Sequence, residues 1–149
     1  MKVNQFIYSV FLLILLMSCN QKQNILISKE NKLGGIYEAD ENGKEFAFFD
    51  RDSIVKLNTD TYISFQEFEN LLYGKDDFEI DTFYIVMTED GIKKLSQLSQ
   101  KNINKSLYFV VDTKIAASPV MIEPIESGNM VMSLSNEKIN NYILDYFNK

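Results

Sequence analysis

The sequence predicts an α+β fold in which an antiparallel sheet is covered on one face mainly by two helices. Short runs of β-branched and aromatic residues, such as Leu107 to Val111, recur between turn residues and indicate strands. Segments such as those after Thr88 and Ser135 instead repeat apolar residues every three or four positions, as amphipathic helices do. With 46% hydrophobic residues, eleven Phe and eight Tyr, the chain has enough apolar material for a core.

Residues 1–18 have the pattern of a bacterial lipoprotein signal peptide. Lys2 is followed by an apolar run from Phe6 to Met17, interrupted only by Ser9. As a helix this run would rise about 18 Å, well short of the roughly 30 Å hydrocarbon core of a bilayer, which fits a signal peptide better than a permanent span. It ends in a sequence that resembles the lipobox of lipoprotein signal peptidase, Leu16-Met17-Ser18-Cys19.

Cys19 is therefore predicted to begin the mature chain and to carry acyl chains such as palmitate. It is the only cysteine, and only a thiol can form the thioether to diacylglycerol. The alternative is an ordinary secretory signal that happens to contain a cysteine. Residues 19–33 are predicted to be a tether. Asn20 is not the Asp that retains lipoproteins in the inner membrane of well-studied Gram-negative bacteria, which favours a periplasm-facing position on the outer membrane.

Residues 34–149 are predicted to form a single domain. Ile36 to Ala39 and Glu45 to Phe49 flank Asn42-Gly43, and together they predict a β-hairpin. A calcium loop from Glu38 would need Glu where Phe49 stands, so this alternative fails. Ser53 to Leu57 is predicted to be the next strand.

Ser64 and Glu67 have the spacing of a capping box, which predicts a helix that ends near Gly74. Phe78 to Met87 is apolar on both faces, so it is predicted to lie inside a sheet or under a second layer. The carboxylates around its start are predicted to be solvated, with a metal or catalytic pair as the alternative: Asp76, Asp77, Glu79 and Asp81.

Thr88 is predicted to cap a helix that buries Ile92, Leu95 and Leu98, and Leu107 to Val111 is predicted to be a central strand. Met130 to Ser133 is predicted to be a short strand. Ser135 is predicted to cap the last helix, whose inward residues are Ile139, Tyr142, Ile143, Tyr146 and Phe147.

Pro119 cannot donate a backbone hydrogen bond, so the segment around it is predicted to be a sheet edge or a bulge. Such an edge can pair with an extended peptide. The predicted peptide-binding edge comprises Lys114, Ile115, Ala116, Ala117, Ser118, Pro119 and Val120. The nearby methionines either fill the core, which we favour, or offer an adaptable contact surface: Met121, Met130 and Met132.

Composition excludes several functions. The chain has no histidine, and Cys19 is assigned to the lipid, so no Ser-His-Asp site, zinc site or disulfide is expected. We expect no enzyme, cofactor or metal. Removal of Lys2 with the signal peptide takes the net charge from −6 to −7, which argues against nucleic acid as a partner.

A set of short motifs follows in a fixed order along the second half of the chain: Thr88-Glu89-Asp90-Gly91, Ile103 to Leu107, Val110-Val111-Asp112, Ala117 to Val120, and Glu123-Pro124-Ile125 with Gly128. With these motifs, roughly residues 60–149 resemble the head subdomain of the first periplasmic domain of SecD/SecDF. The resemblance implies an α+β head and binding of exported polypeptide. Thr113 stands where the family usually has Gly, Ala117 and Ser118 reverse the common order, and the twelve membrane helices of the family are missing.

The sequence therefore predicts an envelope interaction protein anchored in the bilayer through Cys19. Its expected partner is an envelope protein or an exported polypeptide. The alternatives are a structural subunit permanently docked on an outer-membrane complex and, less favoured, an enzyme.

Overall fold

Strand-forming and helix-forming segments both contribute to the main hydrophobic core. The computed structural model describes residues 23–25 and 33–149. The strands in these ranges are β1 (Gln23–Ile25), β2 (Gly34–Phe48), β3 (Ile54–Leu57), β4 (Ile63–Ser64), β5 (Phe68–Lys75), β6 (Asp81–Met87), β7 (Leu107–Val111), β8 (Lys114–Ala117) and β9 (Asn129–Ser133). The helices are a short 3-10 helix (Phe65–Glu67), α1 (Glu89–Lys101) and α2 (Glu137–Phe147).

The strands form two sheets, so the predicted α+β class is confirmed, with two sheets where one was expected. The first sheet has the order β1-β5-β6-β9, and all its neighbours are antiparallel. The second has the order β3-β2-β7-β8, with β4 also paired to β2. A further parallel pairing sets Ala47 of β2 opposite Lys114 of β8. Because β2 pairs with four strands, it organises the second sheet.

The main core joins residues of both sheets and both helices. Phe65, Phe83 and Phe109 are fully buried in it, together with Leu95 of α1 and Ile143 of α2. A smaller core contains Tyr37, Phe46, Phe48, Leu57, Val110 and Ile115. β7 contributes to both cores, because alternate side chains of a strand face opposite sides of its sheet.

The predicted hairpin around Asn42-Gly43 is wrong. β2 continues from Gly34 to Phe48, and residues 40–43 bulge out of its pairing with β3, since Ala39 and Lys44 both align with Leu57. A Cβ on Gly43 would lie 2.2 Å from the Leu57 carbonyl oxygen. The glycine is therefore needed for close approach of two strands within a bulge.

The predicted helix after Ser64 is also wrong. Ser64 Oγ accepts a hydrogen bond from the Gln66 amide at 3.3 Å and donates to the Glu67 carboxylate, so Ser64 does act as an N-cap. Only a 3-10 turn follows them, and β5 then pairs with β1 on one side and β6 on the other. These two pairings satisfy the backbone hydrogen-bonding groups of β5, and Phe68 and Leu71 are buried in the strand. The strand is therefore favoured over the helix that the apolar spacing predicted.

The other elements follow the predictions closely. Thr88 caps α1 by accepting from the Gly91 amide at 3.2 Å, and β6 lies inside its sheet between β5 and β9. The cap of α2 is Asn136, one residue after the predicted Ser135. The interpretation of the three methionines as core residues is confirmed, since all are buried: Met121, Met130 and Met132.

Within the predicted tether, Gln23–Ile25 form strand β1 and pair with Leu71 to Tyr73 of β5. The signal peptide and Cys19 lie outside the described residues. Among the residues that are described, no helix combines the length and the apolarity that a membrane span requires.

Candidate functional site

The start of the predicted peptide-binding edge is not an open edge. Lys114 and Ile115 pair with β7 on one side and with β2 on the other. The Ile115 carbonyl accepts from the Phe49 amide at 3.0 Å. Ala116, which was included in the predicted edge, is only 5% exposed and belongs to the main core. A peptide cannot add to β8 at these three positions.

Beyond Ala116, the chain separates from β2 but stays with β7. The register shifts between Phe109 and Val110, which is the bulge expected near Pro119. Pro119 acts only as an acceptor here, from the Leu107 amide at 3.0 Å, and Val120 lies opposite Ser106. Since backbone groups alternate in direction along a strand, those of Ser118 point away from β7.

A second edge, which the sequence analysis did not identify, lies on β9. The Leu134 amide donates to the Asp81 carbonyl at 3.0 Å, and the Met87 amide donates to the Gly128 carbonyl at 3.1 Å. This register turns the backbone groups of even-numbered residues toward β6 and those of Val131 and Ser133 away from it. In the described residues no other strand pairs with β9. The alternation from Asn129 to Ser133 was the available signal for this edge.

The two edges line one groove of about 410 Å³, which we call the β8–β9 groove. One wall contains Ala117, Ser118 and Pro119, and the other contains Val131, Met132 and Ser133. A neighbouring depression of about 510 Å³ shares Pro119 and Val131. The groove therefore places outward-facing backbone donors and acceptors beside apolar side chains, as a site for an extended peptide requires.

Arg51 supplies a positive charge at the groove. Its guanidinium carbon lies 3.5 Å from the centroid of the Phe48 ring, and Nη2 donates to Ser118 Oγ at 3.5 Å. Stacking on an aromatic face holds the guanidinium in place while leaving donors on its rim free for a further acceptor. Such an acceptor can be a backbone carbonyl or a carboxylate of a bound chain.

A buried carboxylate, Glu38, lies away from this groove, between two depressions of about 700 and 390 Å³. It accepts from Lys101 Nζ at 2.8 Å and from Asn102 Nδ2 at 3.0 Å. Burial raises the pKa of Glu38, but these hydrogen bonds and the charge of Lys101 outweigh burial and hold the pKa below its usual value. The engaged carboxylate joins β2 to the end of α1, which is a structural role.

Glu38→Gln should weaken the dependence of stability on pH. Because its folded-state pKa is lowered, Glu38 contributes stability above the unfolded-state pKa of about 4.3, and this contribution is lost as pH falls through the folded-state value. We expect urea midpoints of wild type and Glu38→Gln to differ at pH 7 and to converge near pH 3. Glu41→Gln, at an exposed carboxylate, is the control. A constant difference between wild type and Glu38→Gln across this range would contradict the expectation.

Asp76 and Asp81, two of the four acidic residues around the start of β6, have structural partners. Asp76 closes the turn between β5 and β6, and Asp81 accepts from the Tyr73 hydroxyl at 2.7 Å and from Asn140 Nδ2 at 3.3 Å. Burial and the bond to Asp81 raise the pKa of Tyr73 to about 12. No cluster of His, Cys, Asp or Glu able to hold a metal occurs in the described part of the chain.

Two solved structures share this fold. One is a structure of SecDF, described as a membrane component that enhances protein export; the TM-score is 0.61 at 18% identity, covering 76% of this chain and 60% of that chain. The other is SecDF in its super-membrane-facing form, with a TM-score of 0.59 at 17% identity, covering 76% of this chain and 18% of that one. This chain thus spans less than two thirds of the first SecDF chain and less than a fifth of the second. The sequence matches no family model and no curated protein. The fold is SecD/SecDF head-like, as the resemblance implies.

Proposed function

We propose that this chain is a lipid-anchored envelope protein that binds extended segments of exported polypeptide in the β8–β9 groove. The observation that carries the proposal is that the outward-facing backbone groups of β9, and those of Ser118 just beyond β8, line the same groove. An extended chain can hydrogen-bond to such an edge as an added strand. The SecDF-like fold suggests a role related to protein export, and SecDF itself is described as enhancing protein export.

Recognition in this groove would be tolerant of sequence. Val131 and Ser133 offer backbone groups that are the same for any bound residue, while Pro119 and the exposed side chain of Val131 offer apolar contact. We expect dissociation constants in the micromolar range or weaker, equivalent to about −8 kcal/mol or less favourable. Because the interaction is mainly backbone pairing, we expect little dependence on salt.

Acylation of Cys19 would keep this groove close to the membrane surface. The absence of Asp after Cys19 favours the outer membrane, with the domain in the periplasm. Exported chains cross this compartment unfolded, so weak reversible capture would suit them. An acidic pI of about 4.7 makes nucleic acid an unfavourable partner.

Val131→Pro should abolish peptide binding while leaving the fold intact. The Val131 amide points away from β6, and its side chain is 61% exposed, so proline removes an outward donor without breaking the pairing to β6. Binding of residues 20–149 to a fluorescent, permanently unfolded exported protein would be followed by anisotropy. We expect the affinity to fall at least roughly tenfold, because the variant lacks one backbone hydrogen bond to the peptide and the proline ring obstructs the added strand.

Ile54→Pro is the matched control. Ile54 lies on β3, which pairs only with β2 among the described residues. Its side chain is 62% exposed, and by the register fixed by the Phe48–Ser53 hydrogen bond its amide also points outward. The Ile54→Pro variant should bind the unfolded exported protein with the affinity of wild type. Equal affinities of wild type and Val131→Pro, or no binding by wild type at high micromolar concentrations, would contradict peptide capture in this groove.

The second candidate function is permanent docking as a subunit of an outer-membrane complex. Three exposed apolar side chains favour it: Val131, which lines the groove and is 61% exposed, and Val120 and Ile122, which follow Pro119 in sequence and are 57% and 80% exposed. A permanent partner would cover such a surface. Docking predicts a stoichiometric complex that survives detergent extraction, whereas peptide capture predicts a protein that is extracted alone.

A further inference from the structure

The turn between β5 and β6 presents an apolar tip. Phe78 is 83% exposed and Ile80 is 40% exposed. The turn is nevertheless well organised, because Asp76 Oδ1 accepts from the amides of Phe78 at 2.8 Å and Ile80 at 2.9 Å, and the Asp76 amide donates to the Ile80 carbonyl at 3.0 Å. The backbone therefore holds Phe78 outward in a fixed turn.

The N-terminal strand directs the chain toward the same end of the sheet. β1 is antiparallel to β5 and sets Gln23 opposite Tyr73, close to where β5 enters the turn. Cys19 precedes Gln23 by four residues, so a fully extended connection spans at most about 14 Å. The turn begins three residues beyond Tyr73, a rise of about 10 Å along the strand. Cys19 and Phe78 can therefore both reach the surface of the same membrane.

We propose that this tip is a second membrane contact, in which Phe78 and Ile80 enter the interfacial region of the bilayer that holds the acyl chains of Cys19. The inference rests on the proposed acylation of Cys19. One acyl-anchored point leaves a domain free to tilt, and an apolar contact beside it fixes the orientation. Asp76, Asp77 and Glu79 give the tip a negative charge. The tip should therefore contact a zwitterionic lipid surface and be repelled by an anionic one.

The absence of tryptophan from the chain allows a direct test. Phe78→Trp introduces a single tryptophan at the tip, whose emission can be excited selectively over that of the tyrosines. Asn129→Trp is the control, because Asn129 is exposed and pairs with Val86 at the opposite end of β6, about 17 Å from Asp81. Both acylated proteins would be reconstituted in phosphatidylcholine vesicles that contain lipid brominated on its acyl chains.

We expect quenching of Phe78→Trp to exceed that of Asn129→Trp by roughly twofold or more, with a blue-shifted emission, because only the tip enters the acyl boundary. Adding phosphatidylglycerol should reduce the difference. Equal quenching of the two acylated variants would overturn the tip contact and leave anchoring intact. Mass spectrometry that shows Cys19 unmodified would overturn the anchor, and the tip contact with it.

Discussion

Replacing Phe65 with alanine should lower the free energy of unfolding by about 3–5 kcal/mol, as removal of a buried phenylalanine does. Phe65 is 1% exposed, and its ring packs at centroid distances of 5.3, 6.0 and 4.9 Å from Phe68, Phe109 and Phe147. It therefore joins the first sheet, the second sheet and α2. The backbone of β2 also approaches the Phe65 ring closely, since a Cβ on Gly34 would lie 2.5 Å from this ring.

Phe78→Ala is the matched control for this substitution. It removes the same atoms from a side chain that is 83% exposed, so the free energy of unfolding should change by only about 0.5 kcal/mol or less. Urea unfolding followed by far-ultraviolet circular dichroism measures both variants. Similar losses of stability in the two proteins would show that Phe65 does not occupy the centre of the core.

Replacing Cys19 with alanine should abolish lipid attachment and leave a product that is either soluble or uncleaved. The predicted lipid attachment needs a thiol, and the chain has no other cysteine. Two or more acyl chains give stable anchoring, whereas one chain or a small apolar contact gives only marginal binding. The contact of Phe78 with lipid would therefore not retain the variant by itself.

Fractionation of cells grown with labelled palmitate measures this effect. Wild type should carry the label and sediment with membranes, and Cys19→Ala should be unlabelled and either soluble or uncleaved. Phe78→Ala, with Cys19 intact, should be labelled and remain in the membrane fraction. Label on the Cys19→Ala protein would show that the lipid is attached elsewhere.

Local sequence signals predicted those elements whose patterns are unambiguous. Thr88 with an acidic first turn gives α1, and the apolar run Leu107–Val111 gives β7. The two errors arose where a local signal competes with tertiary pairing. Phe68 and Leu71 suit one face of a helix, but they are buried equally well in a strand with partners on both sides. Asn42-Gly43 suits a hairpin turn, but it also allows a bulge beside Leu57.

The candidate groove was only half predictable. Pro119 marked one wall, because a residue without an amide hydrogen is confined to edges and bulges. That β2 covers the edge at Lys114 and Ile115 could not be predicted, because it depends on a parallel pairing between residues far apart in sequence. The β9 wall depends on the sheet order, which places β9 beside β6 and leaves its other side free of strands in the described residues.

The partners of β2 determine when this polypeptide can fold. Gly34 pairs with Val111 and Ala47 with Lys114, so β2 cannot be completed until β7 and β8 have followed it. Pairings between such distant residues form slowly, since the entropy of closing a long loop is lost before the contacts are gained. The leading part of the chain should therefore stay unfolded during synthesis. For a protein predicted to cross a membrane through a narrow channel, a fold that depends on its last strands favours transport before folding.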